Sequence, residues 1–250
     1  MVRKDHDSIV ANNIIGLQNV IDASRWAKVK KFIFTSSDKA VNPTNVMGTS
    51  KLMGERMVTA ANSRKKSKGT IFASTRFGNV IGSRGSVFPL FQNQIKNGGP
   101  VTITDLKMTR FVMTIEESVE LILESALIAR GGEVFVTKMP VVGIRDLAEV
   151  MIEELAPKYG YQSESIKMQI IGSKPGEKMY EELLSDEEVN RAYESKRFFS
   201  ILPAFRAVYE NIDYSYTKKC KKATKAYVSK LDNRISKEEI KAYLMRNKLL

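Results

Sequence analysis

The chain has 250 residues, of which 43% are apolar, and a formal charge of +12. That apolar content suits a folded core and argues against global disorder. One histidine (His6) and one cysteine (Cys220) exclude an internal disulfide and a His/Cys zinc site, so no metal is expected. No run reaches membrane-span length and nothing resembles a cleavable signal, so the expectation is a cytoplasmic chain without a transmembrane segment.

Residues 8–27 place Ile9, Ile14, Leu17, Val20 and Ile21 near one helical face. KKFIFTSS follows, a short apolar run ending in small polar residues, as a buried parallel strand does at the carboxyl edge of its sheet. Asn42-Pro43 signals a turn, Met47–Ala61 a second helix, and GTIFASTRFGNVIG a second strand. Helix, strand, helix, strand is half of a doubly wound α/β fold, whose ligands sit at the strands' carboxyl ends.

Beyond Gly82, SVFPLFQNQIKNGG reads as a helix closed by glycines and VTIT as a strand. TIEESVELILESALIARGG reads as a helix with Thr114 as N-cap and Glu117 completing a capping box. EVFVTK is a strand, IRDLAEVMIEELAPKYG an amphipathic helix, and KPGEKMYEELLS a turn leading into a short helix. From Lys218 to Leu250, eleven Lys/Arg face three acids, which is +8 of the total. That segment reads as a solvated basic helical tail. No RNA-binding or zinc-finger pattern accompanies it, so no specific nucleic-acid partner is expected. The expected organisation is 1–82, the rear half of a dinucleotide-binding domain; 83–215, a smaller α+β substrate domain with 132–158 returning to the main sheet; and 216–250, the tail.

Three groups could carry chemistry. Asp38-Lys39 follows the first strand. Such a pair is either a surface ion pair or, at a sheet's ligand edge, an acid beside a base. Met47 and Lys51, four apart, share a helical face and read as core and surface residues or as parts of one site. Arg76, Asn79, Arg84 and Arg110 lie in small-residue or apolar settings, where arginine either clamps phosphate or makes a plain salt bridge. Glu177 follows a turn and can accept hydrogen bonds from sugar hydroxyls.

SSDKAVNPTNVMGTSK, TRFGNVIGSRGSVFPLF, MTRFVMTIEESVELIL and KPGEKMYEELLS occur in this order, and together they resemble the extended short-chain dehydrogenase/reductases of the CapD polysaccharide-biosynthesis type. That group includes UDP-N-acetylglucosamine 4,6-dehydratases and nucleotide-sugar epimerases, and the resemblance covers roughly residues 8–195. It implies an NADP-dependent lyase in surface glycan synthesis. C4 of the sugar is oxidised, a base takes the C5 proton, water leaves from C6 with acid help, and hydride returns to C6. It implies Asp38 as the acid, Lys39 as the C5 base and Ser37 as the partner of the C4 oxygen. Lys51, with Asn13, Ser36 and Arg76, would serve the cofactor. Asn79, Arg84, Ser86, Arg110 and Glu177 would hold the UDP moiety. Assembly as a homo-oligomer is implied as well. Alternatives are a 4- or 5-epimerase and a non-catalytic sugar-nucleotide-binding remnant.

Two departures stand out. Met47 occupies the tyrosine position of Tyr-x-x-x-Lys, and a thioether cannot take a hydroxyl proton. No Gly-x-Gly-x-x-Gly opens the sequence, so the expected fold is a partial doubly wound, Rossmann-like parallel sheet lacking its first half. The expectation is an N-terminally truncated fragment of a longer gene or a chain completed by another.

Overall fold

The computed structural model describes residues 6–62, 69–83, 85–173, 175–205 and 212–250. Helices α1 (His6–Val10) and α2 (Gly16–Trp26) flank a π-helical turn, Ala11–Ile15. Then come β1 (Lys31–Ser37), α3 (Val46–Ala61), β2 (Ile71–Phe77), β3 (Asn79–Val80) and α4 (Val87–Lys96). Next are β4 (Val101–Ile103), β5 (Thr109–Met113), α5 (Ile115–Ile128), β6 (Val134–Thr137), β7 (Val141–Gly143) and α6 (Ile144–Leu155). The remainder is β8 (Met168–Ile170), β9 (Glu182–Leu184), α7 (Asp186–Val189), β10 (Ala192–Glu194), β11 (Phe198–Ile201), β12 (Lys221–Lys222), β13 (Tyr227–Val228) and α8 (Lys237–Arg246).

The chain divides into two compact units. The first comprises Met1–Phe77, Val119–Lys138 and Glu182–Tyr227; the second comprises Gly78–Ser118, Met139–Glu181 and Val228–Leu250. In the first, six strands run in the order β1-β2-β6-β11-β10-β12. β1, β2 and β6 are parallel, with Lys31 opposite Ile71, Ser37 opposite Phe77 and Ser74 opposite Val134. β11, β10 and β12 extend the sheet antiparallel. Successive strand residues face opposite sides. Phe72 accordingly meets Leu17, Ile21, Val58 and Ala61 of α2 and α3, while Ala73 meets Leu121, Ala129 and Phe135. Helices cover both faces, as a doubly wound α/β sheet requires.

The second unit has its own core. Phe88, Phe91 and Ile95 of α4 pack with Leu147 and Met151 of α6 and with Ile240, Tyr243 and Leu244 of α8. β3, β5 and β7 form a small sheet, and β4 pairs with β8. The run GTIFASTRFGNVIG, expected as one strand, is interrupted at Gly78. A Cβ there would lie 2.7 Å from Phe111 Cβ, so only glycine lets the backbone pass so close to β5. The capping box on α5 is as expected: Glu117 N–H donates to Thr114 Oγ1 (3.1 Å) and Thr114 N–H to Glu117 Oε2 (2.8 Å).

Three expectations need correction. Residues 216–250 are not a solvated tail: Lys221–Lys222 pair with β10, and α8 buries Ile240, Tyr243 and Leu244. Its cations are answered by α6, through Arg234–Asp146 (3.1 Å), Lys237–Glu149 and Lys241–Glu154 (2.5 Å). Within 132–158, strand β6 joins the main sheet as expected, but α6 belongs to the second unit, where its apolar face fills the core. KPGEKMYEELLS leads into a strand, β9, because Leu183 and Leu184 are both fully buried; the short helix α7 comes after it.

Candidate functional site

In the first unit the site starts where β1 ends. Ser37 has extended backbone and caps the 3₁₀ turn Asp38–Ala40, accepting the Lys39 N–H at 3.2 Å. The turn tucks Asp38 inward, at 5% exposure, and leaves Lys39 half exposed. Lys39 Nζ donates to both Asp38 oxygens, at 3.1 and 3.2 Å. Ser36 is buried, and its hydroxyl has no hydrogen-bond partner among the described residues.

Helix α3 is laid against this turn. Asn45 caps it by accepting the Gly48 N–H at 2.9 Å. Gly48 is held so close to the turn that a Cβ would stand 2.3 Å from the Lys39 carbonyl oxygen. The contact registers Met47 and Lys51 beside Asp38-Lys39. Lys51 Nζ donates to Thr35 O (3.1 Å) and lies 5.1 Å above the Phe34 ring. Burial pushes its pKa down, with the Glu55 carboxylate opposing. Asn13, in the π turn, donates to Ser50 Oγ (2.9 Å) and reaches Met47 Sδ at 3.4 Å. Single π turns recur at functional positions. Here the turn brings an amide to the Met47 sulfur.

Arg76 does not join this group. It is 1% exposed, and each of its five N–H donors has an acceptor: two on Glu55, two on Glu188 and the Leu183 carbonyl. Nothing remains to offer a cofactor, so the cofactor-binding assignment is corrected to a core ion triad. Burial alone would push the Glu188 carboxyl up; the charge and hydrogen bonds of Arg76 outweigh it and hold it near 2. Burial works against the charge on Arg76 too, and the two glutamates more than restore it.

The second unit holds a cavity of about 370 Å³ lined by Asn79, Ser86, Arg110 and Glu177, with apolar walls including Phe91, Ile103 and Met108. Four expected ligand residues thus share one cavity; Arg84 lies outside the described residues. Val87 and Phe88, in the first turn of α4, line it as well. Arg110 Nε is 3.3 Å from Glu181, and its Nη2 is 3.9 Å from Glu177. Sequence reasoning missed Glu181. It lies in the segment read as a turn leading into a short helix; in the structure it directly precedes β9 and is 4% exposed. Among the described residues no group of three His, Cys, Asp or Glu could hold a metal ion, and no helix is long and apolar enough to cross a membrane.

Residues 1–203 match the family model described as polysaccharide biosynthesis protein. An uncharacterized membrane protein of Methanocaldococcus jannaschii is 53% identical over 194 residues, which is 78% of this chain and 58% of that protein. The UDP-N-acetylglucosamine 4,6-dehydratase (inverting) of Campylobacter jejuni is 39% identical over 207 residues, 82% of this chain and 59% of that enzyme. The chain therefore spans under two thirds of these relatives' length. UDP-glucose 4-epimerases of Rickettsia are also relatives. The crystal structure of Pen from Bacillus thuringiensis superposes with a TM-score of 0.86 at 48% identity, over 96% of this chain and 69% of that one. The chain belongs to the polysaccharide biosynthesis protein family, among nucleotide-sugar dehydratases and epimerases of the short-chain dehydrogenase/reductase fold.

Proposed function

We propose that this chain carries the proton-transfer and nucleotide-holding parts of an NADP-dependent UDP-N-acetylglucosamine 4,6-dehydratase acting in surface polysaccharide synthesis. The observation that carries the reading is the Asp38–Lys39 pair, one member buried and 3.1 Å from the other, at the carboxyl end of a parallel strand. Elimination of water across C5 and C6 needs a base at one carbon and an acid at the next. The ion pair and the neutral acid–amine pair differ by one proton moved between Lys39 Nζ and Asp38. In the neutral form, Lys39 takes the C5 proton and Asp38 protonates the departing C6 hydroxyl. Ser37, already accepting from Lys39 N–H, has its hydroxyl hydrogen to donate to the C4 oxygen.

A bound nicotinamide supplies hydride acceptance at C4 and its return at C6. The residues fit that group. Lys51 is anchored at the end of β1, and the buried orphan hydroxyl of Ser36 lacks a partner that a ligand could provide. Asn13 acts at one remove, through Met47 and Ser50. In the second unit, Arg110 and the first turn of α4 would take the diphosphate, Ser86 would add a hydroxyl, and Glu177 would accept from a sugar hydroxyl. A cytoplasmic setting and a homo-oligomer belong to the same reading.

The test is incubation with UDP-N-acetylglucosamine and NADP in deuterated water. Dehydration gives a product lighter by one water and deuterium at C5. Lys39→Ala is expected to abolish both, and a Lys39→Ala variant that retains both overturns the assignment. The Rickettsia relatives favour a second reading, epimerisation. That reaction conserves mass, so one mass spectrum separates the two.

A further inference from the structure

The Glu181 carboxylate is buried behind the cavity wall and is the hub of its polar contacts. Its oxygens accept from Asn79 Nδ2 at 2.7 and 2.9 Å and from Phe111 N–H at 2.9 Å, and they lie 3.3 Å from Arg110 Nε. A carboxylate there fixes which way the Asn79 amide faces, because its nitrogen must meet the negative oxygens. That nitrogen also bonds Phe111 O at 3.1 Å, so Asn79 offers a ligand its oxygen, an acceptor. Arg110 is treated similarly. Nε faces Glu181, and Nη1 bonds Thr109 O (2.7 Å) and reaches Met179 O (3.4 Å). Among the described residues, Nη2 has the Met108 thioether at 3.0 Å and the more distant Glu177. A thioether is a weak acceptor, so Nη2 is the end a phosphate can take.

Glu181 is itself held by the C-terminal stretch. Its N–H donates to Ser229 Oγ at 2.8 Å, and Ser229 N–H donates back to Glu181 O at 2.9 Å. Ser229 is fully buried, and its carbonyl accepts from Thr109 Oγ1, on the residue before Arg110. This stretch lies beyond the family match at 1–203.

We propose that Glu181 is a positioning residue which, fixed by Ser229, presents Asn79 as an acceptor to a ligand hydroxyl or N–H and leaves Arg110 Nη2 as an end-on contact for the phosphates of a nucleoside diphosphate. The proposal rests on the nucleotide reading of the cavity, and the experiment separates the two. The 250-residue chain is titrated with UDP by calorimetry. Glu181→Gln is expected to weaken binding about tenfold, the scale of a lost hydrogen bond to a charged group, and Ser229→Ala to weaken it in the same direction by less. In a double-mutant cycle, Glu181→Gln and Arg110→Lys are expected to be non-additive. The ligand-free readout is hydrogen exchange at the Asn79 side-chain amide, expected to be faster in both the Glu181 and Ser229 variants. Additive losses with unchanged Asn79 exchange overturn the proposal. A parent chain that binds no UDP while Asn79 exchange responds as expected overturns the nucleotide reading and leaves the positioning by Glu181 standing.

Discussion

Arg76 shows how one residue type leaves two roles open in a sequence. An arginine in an apolar setting either clamps phosphate or makes a plain salt bridge, and Glu55 and Glu188, 21 and 112 residues away, decide for the salt bridge. Glu188 serves twice, also closing the capping box of α7 with Ser185. Removing one member of such a buried set strands the other charges. Arg76→Met should therefore destabilise by about 3–5 kcal/mol, measured by denaturant unfolding, and adding Glu55→Gln and Glu188→Gln should recover part of the loss. The same set gives a pH dependence. The folded-state pKa of Glu188, about 2, lies below its ordinary 4.5. Its stabilisation is complete above the unfolded value, declines as pH falls through the interval, and is gone below about 2. Acid unfolding of the parent should be steeper across that interval than that of Glu188→Gln. No local pattern could reveal this triad, because its partners meet only through the fold. Thr114–Glu117 and Asp38-Lys39 were legible for the opposite reason: a cap spans three residues, and a strand's end is written in its own apolar run.

The junction between α3 and the turn after β1 governs the proposed chemistry at the level of elements. Gly48 lets the helix touch the Lys39 carbonyl, so a side chain there must push one element off the other. Alanine suits a helix interior better than glycine by about 1 kcal/mol, so intrinsic propensity favours the substitution. Gly48→Ala should nevertheless slow C5 deuterium incorporation by around 100-fold, the order expected when a catalytic group moves by about an ångström. Thermal unfolding should change far less than that rate, and the reverse pattern would make Gly48 a packing residue only. The sequence showed Met47 and Lys51 on one helical face. It could not show what that face touches, nor that a π turn would bring Asn13 to Met47. β9 was misread for a related reason: KPGEKMYEELLS reads as a turn leading into a short helix, and the burial of Leu183 and Leu184, visible only in the fold, overrides that reading.

For the molecule as a whole, the excess positive charge looked like a property of a free tail. Part of it is neutralised inside the second unit, where cations of residues 234–241 meet the acidic side of α6. Charge counting could not see this, since α6 reads by itself as an ordinary amphipathic helix. Ending the chain at Tyr227 would remove Ile240, Tyr243, Leu244 and Ser229 from fully packed positions. At about 2–5 kcal/mol for each large buried side chain, the loss is on the order of an ordinary domain's entire stability. The truncated chain should lose protease resistance in Gly78–Ser118 and Met139–Glu181 while Val119–Lys138 stays protected.

The peptide changes unit at five points, so each unit is assembled from three separate stretches. No single scission of the gene yields either half intact, and recombination with a cousin at one crossover inherits mismatched pieces of both. Arg76 and Asn79, three positions apart, serve different units. A deletion between them would shift β2 and β3 together, and so disturb two cores at one stroke.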